Sequence, residues 1–146
     1  MKHFLIATHG ELSKAFIETL ELIAGHSTKV SYFGMTKLKS GDLAKEELRS
    51  ILTSKDADEH FIVLTDIFGG SVTNICTELL MELNDFDIIS GLNLPMMLTM
   101  ILAGQDQSVD DLIEEGVQAA KEGIIHINKL LESQKGSLED DLIITD

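Results

Sequence analysis

"KHFLIATHGEL", residues 2–12, passes within a few positions from an apolar run through a bend to a helical pattern. The run His3–Thr8 is nearly continuous in apolar side chains, as expected of a strand buried on both faces of a parallel sheet. From Glu11 onward the spacing becomes helical. His9 and Gly10 occupy the bend between the two patterns. Packing gives no reason for a titratable imidazole at that point, so the bend is also the first candidate functional position.

The same alternation continues along the chain. Further β-rich runs are Val30–Gly34 in "KVSYFGM", Phe61–Asp66 in "HFIVLTD" and Phe86–Ser90 in "FDIIS". Between the first two, Leu12, Phe16, Leu20 and Ile23 recur at helical spacing, with Gly25 placed to end the helix. "SGDLAKEELRSIL" sets Leu43, Leu48, Ile51 and Leu52 on one side of a second helix, and Ser71 is placed to cap "VTNICTELLMEL". In "GLNLPMMLTMILAG", Pro95 suits a first helical turn and Gly104 its end. A last helix is expected from about Ser108 to Leu131, with Leu112, Val117, Ala120, Ile124, Ile127 and Leu131 on its apolar side. Strands that alternate with helices predict an α/β fold, a parallel flavodoxin-like sheet with right-handed crossovers and helices on both faces. After the linker-like "SQKGS", the apolar run Leu142–Ile144 in "LEDDLIITD" reads as a further strand. Three placements are open to it: an edge of the chain's own sheet, a partner subunit, or a frayed tail.

Composition narrows the function classes. The chain has 146 residues, enough for one domain, with 44% hydrophobic and 25% charged residues. A formal net charge of −14 argues against nucleic-acid and anionic-membrane partners, because both carry the same sign. No apolar run approaches the roughly 20 residues of a membrane span, and no signal-peptide pattern opens the chain. Cys76 is the single cysteine, so no internal disulfide is available. A cytoplasmic location is expected. Without an H-E-x-x-H or Cys/His cluster, no metal site is expected, and the six methionines read as core or interface filler.

In a parallel α/β sheet the loops after the strands open onto one rim, where ligands and reacting groups collect. This chain delivers Thr8–His9–Gly10 to the rim from the first strand. The third strand brings Asp66, followed by Ile67–Phe68–Gly69–Gly70–Ser71, and the fourth brings Ser90–Gly91–Leu92–Asn93. If the first and third strands are neighbours, His9 and Asp66 come within reach of each other. A carboxylate that accepts from one ring nitrogen fixes the tautomer and leaves the other nitrogen as a nucleophile. Gly69, Gly70 and Ser71 would supply backbone N–H groups and a hydroxyl to an anion at a helix start. Together these describe phosphoryl acceptance on His9. Taken singly, each group also has a plain structural role: a tolerated strand-end His, a turn Asp, a tight Gly-Gly turn and an N-cap Ser.

The segments "ATHGELSKAF", "VLTDIFGGSVTNI" and "ISGLNLPMM" resemble the three signature segments of the A component (EIIA) of mannose-family sugar phosphotransferase systems. The resemblance spans about residues 1–133 and implies a phosphotransfer domain there. It leaves 134–146 as a linker and C-terminal edge strand, antiparallel and exchanged in a homodimer. It also implies that His9 takes a phosphoryl group from phospho-HPr and passes it to the B component (EIIB), with the membrane EIIC and EIID components downstream and no cofactor. In this resemblance Asp66 corresponds to the carboxylate on Nδ1 and Ser71 to the hydroxyl near the phosphate. Phe68-Gly-Gly-Ser-Val72 departs from the Trp-Gly-Gly-Ser-Pro of some members, and the absence of a fused B domain implies a separate EIIB chain. A phosphoryl donor subunit of dihydroxyacetone kinase and a non-catalytic regulatory module of the same fold are the alternatives; "FGGS" and "GLNLPM" favour the sugar-transport branch.

Overall fold

A computed structural model describes residues 1–135. Its four strands are β1 (Lys2–His9), β2 (Val30–Met35), β3 (His60–Thr65) and β4 (Asp87–Ser90). They form one parallel sheet in the order β2-β1-β3-β4. This is the parallel α/β, flavodoxin-like arrangement expected from the alternating pattern. The C-terminal strand expected within 134–146 falls, from residue 136 onward, outside the described residues.

The helices are α1 (Leu12–Ala24), α2 (Gly41–Thr53), α3 (Ser71–Leu83), α4 (Leu94–Leu102), α5 (Val109–Glu122) and α6 (Ile127–Ser133). Alternate residues of β1 point to opposite faces, so Phe4 and Ile6 belong to one core and Leu5 and Ala7 to the other. The first core lies under α1, α4 and α5 and includes Met96, Met97 and Met100. The second lies under α2 and α3 and includes Leu48, Leu52, Val72 and Leu79. Each of these side chains contributes roughly 1.5–3 kcal/mol by leaving water.

Several helix details differ from the sequence pattern. The last helix is two helices: α5 ends at Gly123, where a side chain would meet Pro95 Cγ at 2.5 Å. Beyond that break Ile124, Ile127 and Leu131 are exposed rather than buried. In α2 the buried positions are Ala44, Leu48 and Leu52, one helical face at steps of four, and Leu43 turns outward. Leu12 and Ile23 lie at the two ends of α1 beyond the sheet's cover and are exposed. Gly70, not Ser71, holds the N-cap position of α3, and α4 stops at Leu102 rather than at Gly104.

The strand order reverses direction between β1 and β3. In sheets of this kind ligands bind outside the carboxyl ends of the strands at such a point. Ala7 is in register with Thr65, so His9 and Asp66 leave their strands at neighbouring points.

Candidate active site

His9 is the last residue of β1, and the turn after it is held from several sides. Gly10 adopts φ +56°, a left-handed conformation that suits glycine, and its amide donates to Met35 O at 2.8 Å. The Gly10 carbonyl then lies where a side chain at Gly34 would begin, 2.4 Å from its Cβ position. The bend therefore needs both glycines. The Ser13 hydroxyl donates to Phe33 O at 2.8 Å, which ties the start of α1 to β2. The result is a His9 side chain that remains 47% exposed while its backbone is fixed.

Asp66 follows directly after β3 and turns toward His9. Its Oδ2 accepts from the His9 amide at 2.8 Å and lies 2.9 Å from His9 Nδ1. Its Oδ1 accepts from the Ile67 amide at 2.9 Å. Burial of the carboxyl works against its ionisation. The hydrogen bonds from the His9 amide and ring, the charge of that ring and the Ile67 amide outweigh burial and hold Asp66 below the usual carboxylate range. An ionised carboxylate only accepts, so in the neutral ring the proton belongs on Nδ1 and Nε2 carries the free lone pair. Nε2 lies 3.2 Å from Ser71 Oγ.

The loop Ile67–Gly70 completes the rim. Gly69 has φ +83°, and Gly70 lies against the imidazole, where an added Cβ would be 3.0 Å from His9 Cε1 and 2.8 Å from Ile67 Cγ2. No side chain caps α3, so the N–H groups of its first turn are left to face an anion at the positive end of the helix. In this loop Ile67 and Phe68 are exposed, Phe68 to 85%, and Leu12 at the start of α1 is exposed as well.

The structure thus brings together His9, Asp66, Gly70 and Ser71, with Gly69 in the same loop. The residues that the sequence pattern did not single out are Thr8, Thr65 and Thr73, buried hydroxyls beneath the rim. Their signal in the sequence is slight: a threonine precedes both His9 and Asp66. A groove of about 600 Å³ between α4 and α5 is lined by Thr99, Asp111, Glu114, Glu115 and Gln118 among others and includes none of the site residues. Among the described residues no three His, Cys, Asp or Glu side chains converge as metal ligands would, and no helix is long and apolar enough to cross a membrane.

Comparison with known proteins gives a consistent picture. Residues 3–117 match the family model EIIA-man, described as the fructose IIA component of the phosphotransferase system (PTS). The chain is 25% identical over 121 residues to the mannose-specific EIIAB component of Escherichia coli K12, across 82% of this chain and 38% of that protein. It therefore spans about two fifths of the length of the mannose-specific EIIAB relatives it matches. It is 27% identical over 120 residues to the sorbose-specific EIIA component of Lacticaseibacillus casei, across 81% and 85% of the two chains. The crystal structure of the phosphotransferase system component EIIA from Streptococcus agalactiae superposes with a TM-score of 0.77 at 30% identity, covering 88% of this chain and 99% of that one.

Proposed function

Because the chain belongs to the EIIA-man family of phosphotransferase-system IIA components, we propose that it is a phosphoryl carrier in sugar uptake, with His9 as the acceptor. The observation that carries this reading is the His9–Asp66–Ser71 arrangement, in which Nδ1 is held at 2.9 Å and Nε2 is left at the surface. Nε2 attacks the phosphorus of a donor phosphohistidine. The new P–N bond forms as the donor's P–N bond breaks, and the electron pair leaves with the donor imidazole. Positive charge builds on the His9 ring, where Asp66 stabilises it. Ser71 Oγ and the first-turn amides of α3, with Gly69 and Gly70 allowing close approach, receive the phosphoryl oxygens. Onward transfer is the same displacement in reverse, with a histidine of the next protein as nucleophile.

The site lies at the rim with the His9 side chain 47% exposed, which suits a donor and an acceptor that are themselves proteins. By the family relationship these are phospho-HPr and EIIB, with EIIC and EIID acting beyond them. The exposed apolar groups Leu12, Ile67 and Phe68 give such partners a surface to bury. The same relationship supports a homodimer built through the strand expected within 134–146. Among the described residues the four-residue β4 is one edge of the sheet, and Ile124, Ile125 and Ile127 stand exposed.

The test is labelling with phosphoenolpyruvate, enzyme I and HPr, read by intact mass. One acid-labile phosphoryl group per chain is expected, lost when HPr is omitted and in His9→Ala. Wild-type labelling of a folded His9→Ala variant would overturn the assignment.

A further inference from the structure

Thr8 precedes His9, Thr65 precedes Asp66, and both threonines are fully buried at the ends of the two central strands. Each reaches the helix that follows its strand. Thr8 Oγ1 accepts from the Ser13 amide at 2.8 Å and lies 3.1 Å from His9 O, to which it donates. Thr65 Oγ1 lies 2.8 Å from Thr73 Oγ1, and Thr73 Oγ1 lies 2.6 Å from the Ile67 carbonyl. A carbonyl oxygen only accepts, so the Thr73 hydroxyl donates its single proton to the hydrogen bond with Ile67 O and accepts a hydrogen bond from the Thr65 hydroxyl.

Thr73 is the third residue of α3, so the carbonyl four residues back, that of Gly69, lies outside the helix. Thr77, in the same helix, returns its hydroxyl to the carbonyl one turn back, Thr73 O, at 2.8 Å. Thr73 instead reaches out of the helix to a loop residue. That residue is the one whose N–H orients Asp66 Oδ1, and whose carbonyl also accepts the Gly70 amide at 3.4 Å. Ile67 is therefore held on its carbonyl side by Thr73 while it holds the carboxylate from its amide side.

We propose that Thr73 is a positioning residue for His9: its buried hydroxyl, backed by Thr65, fixes Ile67 and with it the Asp66 carboxylate and the Gly70 turn against the imidazole. The inference rests on the reading of His9 as phosphoryl acceptor, but its geometry is measurable without any transfer. Directional hydroxyl chains of this kind strengthen one another in a buried setting. Losing the middle member leaves Ile67 O without that anchor and lets the loop rotate.

The test compares Thr73→Val, which keeps the shape and removes the hydroxyl, with Thr73→Ser, which keeps the hydroxyl. Three quantities are read on the full chain: the rate of phosphoryl acceptance from phospho-HPr, the melting temperature, and the ring ¹⁵N shifts of His9 in the unphosphorylated protein. Thr73→Val is expected to slow transfer about tenfold, the scale of one buried hydrogen bond lost from the reacting geometry. It is also expected to move the His9 ring shifts from a single Nδ1–H tautomer toward a mixture, and Thr73→Ser restores both. Wild-type ring shifts and rate in Thr73→Val, whether or not its melting temperature falls, would overturn the proposal. If Thr73→Val does not fold, Thr65→Val decides the matter: the same change in ring shifts supports the relay, and unchanged shifts overturn it. A wild-type chain that takes no phosphoryl group would overturn the functional reading instead, and the ring shifts would still report on Thr73.

Discussion

Among the described residues the sheet carries two histidine–aspartate pairs, one at each end, and they are built differently. At the carboxyl rim, His9 presents Nδ1 to a carboxylate that accepts three N–H groups, from the His9 amide, the His9 ring and Ile67. At the opposite end, His60 at the start of β3 contacts Asp87 at the start of β4 through Nε2, at 2.7 Å. Asp66 is 14% exposed, whereas Asp87 is 41% exposed, and among the described residues no other hydrogen bond fixes the Asp87 side chain. The shorter contact is thus the less organised one. A histidine beside a carboxylate becomes reactive when the carboxylate is itself immobilised and the other ring nitrogen faces a place for the incoming group. His9 has Ser71 Oγ and the start of α3 there. His60 spans two neighbouring strands and acts as a cross-strand pair.

The largest break in this comparison is expected from the carboxylates. Asp66→Asn should slow phosphoryl acceptance by about 10²–10⁴-fold, through loss of tautomer control and of charge stabilisation. Asp87→Asn should leave the rate within about twofold, as expected of a surface pair remote from the reacting atoms. Stopped-flow or quench-flow transfer from phospho-HPr measures both, and equal effects would erase the distinction between the two ends. Gly70→Ala sharpens it from the steric side. Gly70 has φ −81°, so alanine brings no backbone strain; its methyl group instead meets His9 Cε1 and Ile67 Cγ2. Transfer slowed about 10–10²-fold with little change in melting temperature is expected from that displacement.

The smallest effect is on acid stability. The folded state holds Asp66 below its ordinary range, against burial and through its three N–H donors, so its ionised form stabilises the fold. That contribution is complete above the unfolded carboxylate pKa of about 3.9 and is lost as pH falls through the lower folded value. Urea midpoints should therefore separate wild type from Asp66→Asn above about pH 4 and converge below it. A gap that widens on acidification would contradict the ionised, hydrogen-bonded carboxylate.

Much of this arrangement was legible in the sequence because it depends on strand ends. Nearly unbroken apolar runs identified β1 and β3 as doubly buried, and the first titratable residue after such a run has to leave the core for the rim. His9 and Asp66 follow from that. The break between α5 and α6 was not legible, since Leu112, Val117, Ala120 and Ile124 keep helical spacing straight through it. At the break Gly123 lies against Pro95 of α4, a contact between distant parts of the chain that helical spacing does not reveal. Ser71 was expected as the cap of α3, whereas Gly70 takes that position and leaves the serine hydroxyl facing Nε2. Thr73 was invisible for a similar reason. A threonine in a helix is ordinary, and only the folded loop shows that its hydroxyl serves Ile67 and not its own helix.

The most direct measurement of the central claim is the identity of the phosphorylated atom. Protein with ¹⁵N-labelled histidine would be phosphorylated through HPr and examined by ³¹P and ¹⁵N NMR under alkaline conditions that preserve phosphohistidine. The account predicts a single phosphorylated histidine, His9, with the P–N bond at Nε2 and the Nδ1 proton still facing Asp66. Phosphorylation at Nδ1 of His9, or at His60 or another histidine, would contradict it.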